Sequence, residues 1–266
     1  MQIFKNKLVN LLLSFGLYIK KTNSITLIRD LITNLHPVQV DLIRIGGSGD
    51  GGYLVPNDFN GITTCFSPGV STILNFELEL STMGVKCFLA DFSVDLPKDI
   101  SKNINFIKKF VAPFNSDTEV NFQEWVDLNL DTNGDSILQM DIEGAEYSAI
   151  LSCNIKTLRR FRIIVVEFHN LDSLFEPSFS NVIFDTFKKL LMDFHVVHIH
   201  PNNHSRVRIM QEVSVPSTME FTFYRKDRIH RKQFAKEFPH KYDMPNDPNR
   251  DDLILPKNWY RYNDSI

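Results

Sequence analysis

Cysteine is scarce in this sequence. Cys65, Cys87 and Cys153 are the only three in 266 residues, and no two share a CxxC spacing. Three isolated thiols cannot all pair within one chain, and they form no ligand cluster for zinc. Free buried thiols in a reducing compartment are expected, hence a cytoplasmic protein. Long runs of one charge are also missing. Lysine and arginine number 29 against 32 acidic residues, a net charge of −3. With no basic stretch, a nucleic-acid partner is disfavoured. The apolar run Leu8–Tyr18 is too short to span a bilayer, and Lys5, Lys7, Lys20 and Lys21 flank it. It reads as an amphipathic helix packed on the domain or on a second subunit of a homodimer. Contact with a membrane surface is the other reading, without a stable anchor. Repeats and low-complexity tracts are absent.

What the chain does have is apolar bulk: 43% of its residues are hydrophobic and 22 are phenylalanine, enough for a full core. The length suits one α/β domain with terminal additions. We divide it into an N-terminal helical extension (1–40), a central domain (41–229) and a polar tail (230–266). The tail holds Pro239, Pro245, Pro248 and Pro256, with Trp259, Tyr260 and Tyr262 as apolar anchors. It is expected to pack on the domain and cover an acceptor cleft. A glycine-rich loop at 43–53 opens the central domain. Strands are then expected at 62–66, 86–90, 104–111, 136–140 and 163–168. Helices are expected at 72–83, 122–130 and 179–194, and this alternation implies a doubly wound, mostly parallel sheet. The last two strands, 195–200 and 219–225, lack a crossover helix between them and should pair antiparallel. The expected fold is therefore a Rossmann-like methyltransferase sheet with an antiparallel last strand.

Ligands bind such sheets at the carboxyl ends of the strands. Gly69 follows the first strand, where the lack of a Cβ lets backbone approach a ligand. No GxGxxG follows that strand, which removes the main support for a dinucleotide. Asp91 ends the second strand, where a carboxylate can accept hydrogen bonds from both ribose hydroxyls; a solvated turn aspartate is the plainer alternative. The Gly46–Tyr53 loop, with Arg44, can cradle a charged ligand end through backbone groups.

Asp141 ends the fourth strand, and Glu167 and His169 share one face at the end of the fifth. Neighbouring strand ends would bring the three together, and their donor set suits Mg²⁺ or Mn²⁺. A helix cap for Asp141 and a core imidazole for His169 are the structural alternatives. His198, His200, Asn202, Asn203 and His204 form a second polar cluster that offers sugar-hydroxyl contacts or a general base. Glu220 faces it, to touch substrate or to pair with Arg206 or Arg208.

Five segments together resemble the FkbM family of methyltransferases. They are Arg44-Ile-Gly46 with Asp50-Gly51-Gly-Tyr53, Cys65-Phe-Ser67-Pro-Gly69-Val-Ser71 with Phe76-Glu77, Met140-Asp141-Ile-Glu-Gly-Ala-Glu146, Val166-Glu167-Phe-His169, and Glu220-Phe-Thr-Phe. The resemblance spans roughly residues 42–227. It implies S-adenosylmethionine as methyl donor, held by Arg44, Gly46, Asp50, Gly51, Tyr53, Ser67, Gly69, Ser71, Glu77 and Asp91. It also implies a hydroxyl acceptor, often on a sugar. Asp141, His169, His198 and His200 are the candidate catalytic residues, and Asp141, Glu167 and His169 the candidate metal ligands. The leading reading is an O-methyltransferase acting on a nucleotide-sugar or glycan in capsular or surface polysaccharide synthesis. A methyltransferase for a small natural product is the alternative within enzymes, and a non-catalytic cofactor-binding subunit the alternative outside them.

Overall fold

Phe161–Phe168 is buried along its whole length. A strand with the apolar, β-branched centre Ile163–Val166 and no exposed residue belongs inside a sheet covered on both faces. In the computed structural model, which describes residues 2–16, 22–97, 100–131 and 133–261, it is the third of seven strands from one edge. The sheet strands are β1 (Ile62–Pro68), β2 (Lys86–Ala90), β3 (Ile104–Ile107), β4 (Asp135–Met140), β5 (Phe161–Phe168), β6 (Phe194–Pro201) and β7 (Met219–Arg225). Their spatial order is β6-β7-β5-β4-β1-β2-β3. β7 alone is reversed, pairing antiparallel with both β6 and β5. This is the Rossmann-like methyltransferase sheet, with its switch point between β1 and β4.

Helices α1 (Gln2–Ser14), α2 (Ile25–Asn34), α3 (Asn75–Thr82), α4 (Phe122–Asn129), α5 (Glu146–Ser152), α6 (Ile155–Leu158) and α7 (Pro177–Asp193) complete the main elements. One face of the sheet packs on α2, α4, α5 and α7 around Phe66, Phe168, Phe187, Phe221 and Phe223. The other packs on α3 and on an antiparallel hairpin, Leu42–Ile45 with Tyr53–Pro56. The Thr222 hydroxyl donates to Leu54 O at 2.7 Å and ties that hairpin over β7.

Three expectations change. The helical extension holds two helices, α1 and α2, and the packing of the first on the domain, one of the two expected partners, is slight: among the described residues α1 packs extensively against no other element. Leu11 and Phe15 remain 55% and 73% exposed. The strand expected over 104–111 stops at Ile107, and Phe110–Ala112 leaves the sheet to pair with Glu119–Asn121. The glycine loop is the turn of the 42–56 hairpin. Gly47, Gly49 and Gly52 happen to carry the letters of a GxGxxG, but the chain returns as a strand and opens no helix. From the tail, Trp259 is fully buried and its Nε1 donates to Ser214 O at 2.8 Å. Tyr262, Tyr18, Lys20 and Lys21 lie outside the described residues.

Candidate active site

A cavity opens at the carboxyl ends of β1 and β4, beneath the glycine loop. Asp50, Gly51, Tyr53, Gly69, Ser71, Glu77 and Asp141 line it, with Val70, Ile73, Phe76 and Gln139. Its floor is a buried polar chain that the sequence reading missed at Gln139. Gln139 Nε2 donates to the Tyr53 hydroxyl at 3.1 Å, and Ser67 Oγ lies in hydrogen-bond reach of both Gln139 and Glu77. Burial pushes the Glu77 carboxyl up, while the Ser67 bond works the other way.

Several expected contacts take a different form. Gly69 has φ +85°, and a Cβ there would lie 1.5 Å from Asp141 O. The close approach that demands glycine is therefore the chain's own β4–α5 turn, although Gly69 still lines the cavity. Arg44 turns inward and donates to Gly47 O at 2.5 Å and Gly49 O at 2.8 Å. It fixes the loop's shape instead of projecting a free guanidinium, and Gly46 N is held by Glu79 at 2.9 Å. Asp91 sits beside the cavity, since Gly69 N donates to Ala90 O at 3.0 Å. Its Oδ1 accepts from the Ser93 amide and hydroxyl, both at 2.6 Å, as a turn aspartate does.

Asp141, Glu167 and His169 do converge: one ligand atom from each lies within 4.8 Å of the others. His169 Nε2 is 3.9 Å from Asp141, 3.5 Å from Glu167 and 3.4 Å from Glu143. His169 Nδ1 faces Glu146 Oε1 at 3.0 Å. Glu146 is wholly buried and also accepts the amides of Ile142 and Gly144. This carboxylate fixes the imidazole with its proton on Nδ1 and Nε2 free. In the sequence Glu146 stands out only as the last residue of its motif, and its spacing from His169 carries no sign of the contact. Glu143 and Asn170 flank the site at positive φ, +54° and +56°. Non-glycine residues rarely hold that conformation, and both strained turns sit against His169.

The cluster is rich in negative charge. Burial pushes Asp141 up to about 7, helped by Glu143, Glu146 and Asp50 and opposed by His169. Burial raises Glu167 too, with the charges of Asp141 and Glu220 adding. His169 is raised because its bond to Glu146 and the surrounding carboxylates outweigh burial. Asp141 Oδ1 is buried with no hydrogen-bond partner among the described residues. Two hard oxygens and one imidazole, with excess negative charge and an orphaned oxygen, fit a divalent cation.

A row of ionisable side chains crosses the sheet at this level, because His200 pairs with Glu220 and Glu220 with Glu167. The tail closes over its outer end. Asp243 lies 2.9 Å from His198, Asp252 lies 3.5 Å from His200, and Asn246 Nδ2 donates to Glu220 at 2.7 Å. His198 and His200 are thus buried under the tail. Against burial, Glu220, Asp243 and Asp252 raise His200 to about 9. His200 lies buried between Glu220 and Asp252 and does not line the cavity at the β1 and β4 ends. Glu220 pairs with neither arginine, since Arg206 joins Asp172 and Arg208 joins Glu176. Asn202 donates to Glu167 at 3.1 Å, and Asn203 and His204 engage Asp247 of the tail.

A second cavity, of about 380 Å³, lies on the far side of His169. Glu143, Asn170, His204, Arg206, Ser217 and Thr218 line it with His169. Among the described residues the tail supplies none of this lining, and its Asp247 lies 3.2 Å from the lining residue His204.

The reversed seventh strand and a cavity at the β1 and β4 ends define a methyltransferase-type fold. Residues 116–208 match the family model of the methyltransferase FkbM domain. That span holds Asp141, Glu143, Glu146, Glu167 and His169, and the match supports S-adenosylmethionine-dependent methyl transfer as the activity. No curated protein matches the chain. Among solved structures, the chain is similar to a candidate RNA methyltransferase from Pyrococcus horikoshii. Identity there is 10%, covering 61% of this chain and 74% of that one, with a TM-score of 0.32. It is also similar to the 1,6-didemethyltoxoflavin-N1-methyltransferase of Burkholderia thailandensis. Identity is 9%, covering 63% of this chain and 72% of that one, again with a TM-score of 0.32.

Proposed function

We propose that the chain methylates a hydroxyl of a small, hydroxyl-rich acceptor. One observation carries this reading: the Asp141–Glu167–His169 cluster separates two cavities. Asp141 lines the cavity with Gly69 and Glu77, and His169 lines the one with Arg206 and Thr218. A donor in the first and an acceptor in the second would meet at the cluster. Side chains with hydrogen-bonding groups make up the whole lining of the second cavity, which suits an acceptor with several hydroxyls. A sugar, nucleotide-activated or within a surface glycan, has that character. So does a hydroxylated small natural product, and the two readings share this geometry.

Methyl transfer to an alcohol is an in-line displacement, and an alcohol is a weak nucleophile near neutral pH. His169 can answer that need in one of two ways: with Nδ1 held by Glu146, Nε2 either accepts the hydroxyl proton as the oxygen attacks or serves as a ligand to a cation, not both at once. Asp141, Glu167 and His169 would hold Mg²⁺ or Mn²⁺, an ion that supplies Lewis-acid stabilisation of a developing alkoxide. The cofactor's ribose would fall to Asp91 and its amino-acid end to the Gly46–Tyr53 loop. Glu146 and Tyr147 brace His169 from behind, the tyrosine hydroxyl donating to His169 O at 2.7 Å.

The test is incubation with S-adenosylmethionine and a panel of nucleotide-sugars, oligosaccharides and hydroxylated natural products, read by mass spectrometry and NMR. An O-methyl product is expected, and its identity separates the two acceptor readings. Methylation at nitrogen or carbon alone would overturn the proposal. Chelation should abolish turnover and Mg²⁺ or Mn²⁺ restore it; full activity after chelation would leave His169 as the base without an ion.

A further inference from the structure

We propose that the N-terminal segment docks the protein reversibly on an anionic lipid bilayer. The first acidic residue of the chain is Asp30; before it stand Lys5, Lys7, Lys20, Lys21 and Arg29. In a chain of net charge −3 this is a pronounced segregation of positive charge. The same segment carries an apolar stripe, Leu8, Leu11, Leu12 and Phe15, at the i, i+3, i+4, i+7 spacing of one helix face. Two members of the stripe, Leu11 and Phe15, are 55% and 73% exposed, and α1 packs extensively against no other element among the described residues.

Length decides how such a helix meets a bilayer. Thirteen residues extend about 20 Å at 1.5 Å per residue, short of a hydrocarbon core of about 30 Å. No helix among the described residues is long and apolar enough to cross a membrane. An interfacial helix with its apolar stripe in the acyl boundary and its lysines among the headgroups satisfies both features. Charge separates this occupant from a second copy of the chain. Two such segments meeting would set lysines against lysines with no acid between them, whereas an anionic surface complements them. The groove where α2 meets α7 has a similar character. Leu27 and Met192 are exposed on it, with Lys188, Lys226 and Lys232, and Asp30 is the one acid among its lining residues.

Flotation of the full chain with vesicles tests this directly. At low salt, recovery on phosphatidylcholine–phosphatidylglycerol vesicles should exceed that on phosphatidylcholine alone several-fold, and high salt should remove the difference. The double change Leu11→Asp with Phe15→Asp should lower recovery at least tenfold, and Lys7→Glu severalfold. Thermal unfolding of both variants should match that of the parent, which shows that the domain is intact. Equal recovery on the two vesicle types would overturn the proposal. So would light scattering that finds a dimer dissociated by Leu11→Asp with Phe15→Asp, which would give the stripe to a second copy.

Discussion

Glu167 and Phe168 are adjacent on β5 and face opposite sides of the sheet. Phe168 meets Tyr147, Phe187, Phe221 and Phe223 at ring separations of 5.3, 4.8, 5.7 and 6.5 Å. Glu167 meets His169, Asn202 and, through strand register, Glu220. One face removes apolar area from water and stabilises the domain. The other buries several carboxylates whose charges oppose one another, which disfavours the folded state. The contrast teaches that stability and chemistry are assigned residue by residue along one strand by the two-residue period of its side chains.

The largest expected effect is on the polar face. His169→Ala should lower kcat/KM by about 10²- to 10⁴-fold, the range for loss of a positioned general base. Binding of S-adenosylhomocysteine, measured by calorimetry, should stay near the parent value; a parallel loss would place His169 in the donor site instead. On the apolar face, Phe168→Ala should destabilise the fold by about 3–5 kcal/mol in urea unfolding. Glu167→Gln should leave stability equal or higher, because it removes a buried charge. If both substitutions destabilised alike, the division between the faces would fail.

Asp91→Ala probes the donor side. If the carboxylate turns from Ser93 to a ribose, S-adenosylhomocysteine affinity should fall by about 1.5–3 kcal/mol, the worth of a charge-assisted hydrogen bond. Unchanged affinity would leave Asp91 as a turn residue only. The smallest effect is expected at the amino end of β6, away from the site. His195 is lowered to about 4 by burial and by Lys232 and Lys226. A histidine with a depressed folded pKa contributes stability at pH above its ordinary value of 6.5, and that contribution is lost as pH falls from 6.5 towards 4. The ring is half-buried and keeps part of its surface in water, so solvent screening reduces the effect to roughly 1 kcal/mol. His195→Gln should flatten urea-derived stability across that pH window, and an unchanged slope would reject the assignment.

Much of this fold can be read from residue pattern. Lys86–Ala90 is a strand with the predicted bounds, and β5 and α7 differ from expectation by two residues or fewer at each end. Their apolar runs are long enough that local preference and tertiary packing agree. The 42–56 hairpin was hidden because each of its strands has four residues and glycine dominates the turn between them. The convergence of Asp141, Glu167 and His169 was legible, since strand ends in a parallel sheet must be neighbours.

The sequence by itself determined the layer order, the reversed last strand and the set of groups at the carboxyl ends of β4, β5 and β6, because these follow from periodicity and connection length. Tertiary structure decided which of those groups are free to react. Asp243 and Asp252 are more than 40 residues along the chain from the histidines they meet, and no local pattern joins them. Their carboxylates leave His198 and His200 buried and paired under the tail. Glu146, 23 residues before His169, leaves one nitrogen of that imidazole facing the cleft. Burial and charge act through space, so the proton affinity of each group is set by neighbours that only folding assembles.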